Sequence, residues 1–175
     1  QLATCLSLRN SSPEILLAAA EHVSADLTVV GPEAPLVEGV VDCFRAHRRL
    51  IVGPTAEAAR LEGSKVYAKQ FFTSHGIPTA QYFAVASHSE ASEAFRRFTY
   101  PLVVKTDGLA AGKGVIIAQD PAEAEAAYES LGPKVVVEEF LKGEEVSFIA
   151  LCDGTRFTPF APAPDHNAVV DADRG

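Results

Sequence analysis

The chain has 175 residues, 47% of them apolar, and a net charge of −8 with histidine neutral. That is enough to bury a core in one large or two small domains, and no apolar run approaches a membrane span. The one basic cluster is His47-Arg48-Arg49, so nucleic acid, which is held mostly by concentrated Lys and Arg, is excluded as the main partner.

Cys5, Cys43 and Cys152 are odd in number and far apart, which implies free thiols in a reducing cytosol. The five histidines are scattered without zinc-ligand spacing. The chain holds no methionine, opens on Gln1 and stops at Asp173-Arg174-Gly175. It therefore reads as an internal piece of a longer protein, with no signal peptide in view.

In chain order, Leu2 to Leu8 is a strand candidate. Ser12 reads as an N-cap with Pro13 at the first helical position, and Ile15, Leu16, Ala19, Ala20 and Val23 follow at helical spacing. Leu27 to Val30 is a short apolar run closed by Gly31-Pro32, as in a buried parallel strand. A second helix is expected from Leu36 to His47, and a strand at Leu50-Ile51-Val52. Alternating helices and short apolar strands predict an open α/β sheet, whose ligands sit beyond the carboxyl ends of the strands. The loops at Gly31-Pro32-Glu33-Ala34-Pro35 and Gly53-Pro54-Thr55 lie there. From the residues alone, each is also an ordinary turn.

From Ala56 a helical stretch runs through Leu61-Glu62-Gly63-Ser64-Lys65 and stops at Gly76, with Pro78 beyond. Gln81 to Val85 reads as a strand, and Ser87 with Glu90 as a capping box for a helix through Phe98. Pro101 to Ala118 is a strand, a glycine-rich loop and a second strand. Asp120, Pro121 and Glu123 start a helix to about Leu131. Val135 to Leu141 and Glu145 to Cys152 are strands, and Asp153-Gly154 is a hairpin signal.

The stretch from Lys105 to Gly114 carries the chemistry. Glycines let a backbone pass close to a bulky anion, and peptide N–H groups there cradle phosphate oxygens while lysines neutralise charge. It is not a Walker A loop, because Leu109, Ala110 and Ala111 alone separate Gly108 from Gly112 and Gly114 follows Lys113. A plain hairpin with solvated lysines fits the loop equally well. Glu138 to Leu141 ends a strand in paired acids, and Glu145 follows just past Gly143. Taken singly, Glu138, Glu139, Glu144 and Glu145 are a solvated acidic turn. Taken with Lys105 and the loop, they supply what a nucleotide needs: cations for phosphates, backbone groups for the base and a carboxylate for ribose.

Five runs, Asp26 to Leu36, Gly53-Pro54-Thr55, Leu61 to Lys65, Lys105 with Asp107 to Val115, and Glu138 to Ser147, resemble the glycinamide ribonucleotide synthetase family in that order. These are ATP-grasp enzymes of de novo purine synthesis. The resemblance implies an α/β (α+β) fold, with a partial Rossmann-like N-terminal sheet followed by the first part of an ATP-grasp domain. It places a substrate domain over residues 1–60 and an incomplete ATP-grasp domain over 61–175, with a lid over about 81–137.

The implied activity is ATP-dependent ligation of glycine to 5-phosphoribosylamine through a glycyl phosphate, giving glycinamide ribonucleotide, ADP and phosphate. Lys65 and Lys105 would contact phosphates or adenine, and Gly108, Gly112, Lys113 and Gly114 would form the phosphate lid. Glu138, Glu139, Phe140 and Leu141 would frame adenine, with Glu145 on ribose. Gly31, Pro32 and Glu33, with Asp165, Asp171 and Asp173, would face the substrates. The cofactors would be ATP and Mg2+ (or Mn2+), the metal ligands lying downstream of this chain. No catalytic residue and no metal ligand is assigned within it. A cytoplasmic protein, monomeric when complete, is expected, with no nucleic-acid or membrane partner.

The sequence departs from the family pattern over 164–175. Asn167 and Ala168 stand where the family has cations, and Val170 and Ala172 stand where it has glycines. With the distal half of the ATP-grasp domain also missing, the chain alone is expected to be inactive. The alternatives are another ATP-grasp carboxylate–amine ligase and a non-catalytic nucleotide-binding module.

Overall fold

Proline at the first turn and apolar groups at helical spacing form α1 (Pro13–His22). Ser12 has the extended backbone of an N-cap, though its side chain makes no capping bond. The computed structural model describes residues 3–110 and 112–164, and the chain divides into two compact units, Gln1–Phe140 and Leu141–Gly175. The strand expected at the N-terminus is not formed over residues 3–8. Leu6 and Leu8 are exposed there, and no neighbouring strand among the described residues offers them a ladder.

In the first unit, β1 (Thr28–Val29) and β2 (Ile51–Val52) pair in parallel, as their short apolar runs predict. The single helix expected over 36–47 is instead two, α2 (Glu33–Val37) and α3 (Val40–Ala46). Gly39 separates them at φ 88°, a left-handed turn that costs glycine little and resets the chain direction. The turn lets Val40, Val41 and Phe44 bury themselves against Leu17 and Ala20 of α1. Phe44 is fully buried, and truncating such a ring to alanine costs about 3–5 kcal/mol.

The helical stretch after Ala56 also breaks, into α4 (Ala56–Gly63) and α5 (Lys65–Ser74). Ser64 is extended at the junction, and its hydroxyl accepts from the Tyr67 N–H, so it caps α5.

The rest of this unit is an antiparallel sheet with two helices on one face. Its strands are β3 (Tyr82–Val85), β4 (Leu102–Thr106), β5 (Val115–Ala118) and β6 (Val135–Glu139), in the order β3-β6-β4-β5. The helices are α6 (His88–Arg97) and α7 (Pro121–Leu131). Both start as predicted. The Ser87 hydroxyl accepts from the Glu90 N–H while the Glu90 carboxylate accepts from the Ala86 N–H. Asp120 and Glu123 make the matching pair of bonds at α7. Leu102, Val104, Val135 and Val137 bury against Ala91, Ala94 and Phe95 of α6 and Ala124, Ala127 and Tyr128 of α7. Alternation along the strands leaves Val103, Lys105, Val136 and Glu138 on the opposite face.

In the second unit, β7 (Val146–Ser147) pairs with β10 (Ala163–Pro164), and β8 (Ala150–Cys152) with β9 (Phe157–Pro159). The one strand expected over 145–152 is thus two, because its halves pair with different partners. The hairpin signal at Asp153-Gly154 is borne out. Gly154 has φ 97°, and Asp153 Oδ1 accepts from the N–H groups of Thr155 and Arg156 and from the Thr155 hydroxyl. Among the described residues, no helix is long and apolar enough to cross a membrane.

Candidate functional site

The face of the four-stranded sheet opposite α6 and α7 carries the charged cluster. Lys105 Nζ donates to Glu138 Oε2 at 2.9 Å. The register sets Val103 opposite Glu138 and Lys105 opposite Val136, so the two side chains are diagonal neighbours within reach of each other. Glu138 is 4% exposed, and a buried carboxylate requires a partner. It has two, because Lys69 Nζ of α5 also lies 3.2 Å from Oε2. On the same face, β5 sets Val115 opposite Lys105 and Ile117 opposite Val103. Both are about half exposed, so an apolar surface wide enough for a flat ring lies open beside the lysine.

The glycine loop joins β4 to β5 and is anchored at its base. Asp107 Oδ1 accepts from the Ser64 hydroxyl at 3.0 Å and the Val66 N–H at 3.2 Å, so it adds to the cap of α5. Lys65 Nζ donates to the Gly108 carbonyl at 2.8 Å. The loop is thereby tied to α5 by three hydrogen bonds, each with one charged partner. At its far end Thr106 N donates to Gly114 O at 2.8 Å. A Cβ built on Gly114 would lie 2.4 Å from Ala110 Cβ and 2.5 Å from Thr106 Cγ2, so only glycine fits. Lys113, next to Gly114, is exposed.

The structure brings Lys65, Lys105, Gly108, Gly114 and Glu138 into one unit. Gly112 and Lys113 are on the same loop. Glu139 falls on the opposite face, where its carboxylate accepts from the Gln81 N–H at 2.8 Å. Phe140 follows half-buried at the end of β6, and Leu141 and Glu145 are exposed in the second unit. Gly31 and Pro32 precede α2 and Glu33 begins it, all three exposed. Asp165, Asp171 and Asp173 lie outside the described residues. A groove of about 550 Å³ between residues 6–9 and α1 contains none of the predicted site residues and is largely apolar.

Sequence reasoning missed Lys69 and the capping role of Asp107. Lys69 follows Lys65 by one helical turn, so it falls on the same side of α5. That spacing was the available signal. Nothing local shows that Asp107 reaches back to Ser64, 43 residues earlier.

A lysine pair, a glycine loop closing on a strand end and an open apolar sheet face together suit a nucleotide: cations and peptide N–H groups for phosphates, a ring-sized surface for a base. The donor set therefore fits a nucleotide. Among the described residues, no group of three or more His, Cys, Asp or Glu side chains could hold a metal ion.

Comparison with known proteins agrees. Residues 1–62 match the family described as phosphoribosylglycinamide synthetase, N domain, and residues 63–175 match its ATP-grasp (A) domain. The chain is 52% identical over 169 residues to the phosphoribosylamine–glycine ligase of Xylella fastidiosa (strain Temecula1 / ATCC 700964) and 50% identical over 169 residues to that of Escherichia coli (strain K12). Each alignment covers 91% of this chain and 39% of the relative, so the chain spans about two-fifths of the length of these proteins. Among solved structures, the phosphoribosylamine–glycine ligase of Thermotoga maritima superposes with a TM-score of 0.69 at 33% identity, over 89% of this chain and 41% of that one. The biotin carboxylase of Campylobacter jejuni superposes at 0.71 with 22% identity, over 84% and 36%; this likeness shows the fold alone. The chain belongs to the phosphoribosylglycinamide synthetase family.

Proposed function

We propose that the chain forms the ATP-binding part of a phosphoribosylamine–glycine ligase, on the face of the sheet that carries Lys105, opposite α6 and α7. The observation that carries this reading is the Lys105–Glu138 pair beside a glycine loop that Lys65 holds by its Gly108 carbonyl. Lys65, Lys105 and Lys113 hold the phosphates, with the N–H groups of Gly108, Gly112 and Gly114. Glu138 and Phe140 frame the adenine. The Glu139 carboxylate holds the Gln81 N–H just before β3. The lid is the sheet and helices over about 81–137.

In this reading the parent protein joins glycine to 5-phosphoribosylamine in the cytoplasm, with Gly31, Pro32 and Glu33 and the acids Asp165, Asp171 and Asp173 toward the substrates. ATP is the co-substrate whose phosphoryl group makes the glycine carboxylate a leaving-group-bearing carbonyl for the incoming amine. The residues of this chain contribute position and positive charge, which is how phosphoryl-transfer sites stabilise spreading negative charge. Magnesium accompanies ATP, and among the described residues no group of three or more His, Cys, Asp or Glu side chains could hold it.

The test is a calorimetric titration of the chain with ATP and magnesium, as wild type and as Lys105→Ala. Saturable binding is expected. A charge-assisted hydrogen bond contributes about 1.5–3 kcal/mol, so Lys105→Ala should weaken binding about tenfold or more. No saturable binding, or equal affinity in the variant, overturns the reading.

A further inference from the structure

Lys69 is 8% exposed in the middle of α5, and no motif singles it out. Three oxygens surround its Nζ: Glu138 Oε2 at 3.2 Å, Thr79 Oγ1 at 2.8 Å and the Ala80 carbonyl at 3.3 Å. The Tyr82 ring centroid lies 5.7 Å away. An ammonium group has three protons to donate, so this one is fully occupied by the protein itself. Lys69 is therefore not a ligand-binding cation. It joins α5 and the segment leading into β3 to the end of β6.

Stability alone does not explain it. A buried ion pair gives little or nothing over a well-packed apolar pair, because removing both charges from water offsets their attraction. What such a pair does supply is a fixed position. Both Lys69 and Lys105 take the same oxygen of Glu138, Oε2, and Oε1 lies outside both ion pairs. A carboxylate held twice by one oxygen cannot swing, so the direction of the other oxygen is set.

Building on the nucleotide reading above, we infer that Lys69 is a positioning residue that fixes Glu138 so that Oε1 accepts from the exocyclic amino group of adenine. Adenine presents an N–H donor at position 6, where guanine presents a carbonyl acceptor. An ionised carboxylate aimed there attracts the first and repels the second, which is discrimination by a built-in clash as well as by a bond. Lys69 thereby sets the preference for ATP over GTP without touching either.

The experiment titrates the chain with ATP and with GTP, as wild type, Lys69→Met and Thr79→Val. Wild type should prefer ATP. Lys69→Met should weaken ATP about tenfold, the size of one charge-assisted hydrogen bond lost, and leave GTP bound as well as before or more tightly, because the clash with its carbonyl is relieved. Thr79→Val, at an exposed position, removes one anchor of Lys69 and should lower the ATP-to-GTP affinity ratio about two- to threefold, as a neutral hydrogen bond implies. ATP and GTP affinities falling together would mark Lys69 as merely structural, and an unchanged ratio in either variant overturns the inference. Should Lys69→Met fail to fold, Thr79→Val decides. A wild-type chain that binds neither nucleotide overturns the nucleotide reading and this inference with it, whereas normal ATP preference with unaltered ratios overturns the inference alone.

Discussion

Lys105 and Glu138 meet at 2.9 Å across two antiparallel strands although 33 residues of chain separate them. The carboxylate is buried, and the Lys105 side chain is 29% exposed, so the cation borders solvent while its partner does not. Lys69 closes the carboxylate from the other side.

This arrangement makes the cluster asymmetric. Removing Glu138 leaves two ammonium groups uncompensated, one of them buried, and breaking a buried pair in this way costs about 3–5 kcal/mol. Removing Lys105 leaves Glu138 with Lys69, and a part-exposed pair contributes about 1 kcal/mol or less. Urea unfolding should therefore show Glu138→Ala far less stable than Lys105→Met. Equal losses would contradict the shared-carboxylate geometry.

Gly114 is constrained by space. The 2.4 and 2.5 Å approaches to Ala110 Cβ and Thr106 Cγ2 force the loop or β4 to move if a methyl group is added. Overpacking of this kind costs about 1–3 kcal/mol. Gly114→Ala should unfold at lower urea concentration and bind ATP more weakly. Gly143→Ala, where the added carbon meets nothing within 4 Å, should change stability little. Similar losses at both positions would show that close packing at Gly114 is not the cause.

Asp153 gives a pH signature in the second unit. The N–H groups of Thr155 and Arg156, then the Thr155 hydroxyl, hold its carboxyl below the ordinary value of 3.8. The folded hairpin therefore favours the ionised form. Its contribution is fully present above pH 3.8 and is lost as pH falls through the lower folded value. A carboxyl-resolved NMR titration should place the Asp153 midpoint below 3.8, and Thr155→Val should move it upward. A midpoint at or above the ordinary value would contradict the turn geometry.

Much of this was legible in the sequence because it is local. Pro13, Ser87 with Glu90, and Asp120 with Glu123 mark helix starts within four residues of the bonds they make. The valines of β6 and the glycines after Lys105 announce a buried strand and a tight loop. The helix breaks at Gly39 and Ser64 were not legible, because each depends on packing: Val40, Val41 and Phe44 turn inward only because α1 is there to receive them. The site divides in the same way. Lys105, the glycine loop and Glu138 stand out by type and spacing. Lys69 hides among the helical residues of α5, and the bond from Asp107 to Ser64 requires the fold. The resemblance named the family, and the pleat explains why neighbouring acids differ, with Glu138 beside the lysines and Glu139 on the other face.

The most direct measurement is amide hydrogen exchange of the chain with and without ATP and magnesium, resolved by peptide. ATP on the Lys105 face predicts slower exchange over residues 106–114 and at residues 138–140, with α1 to α3 unchanged. Exchange that stays the same in both segments, or slows only around α1 to α3, would contradict it.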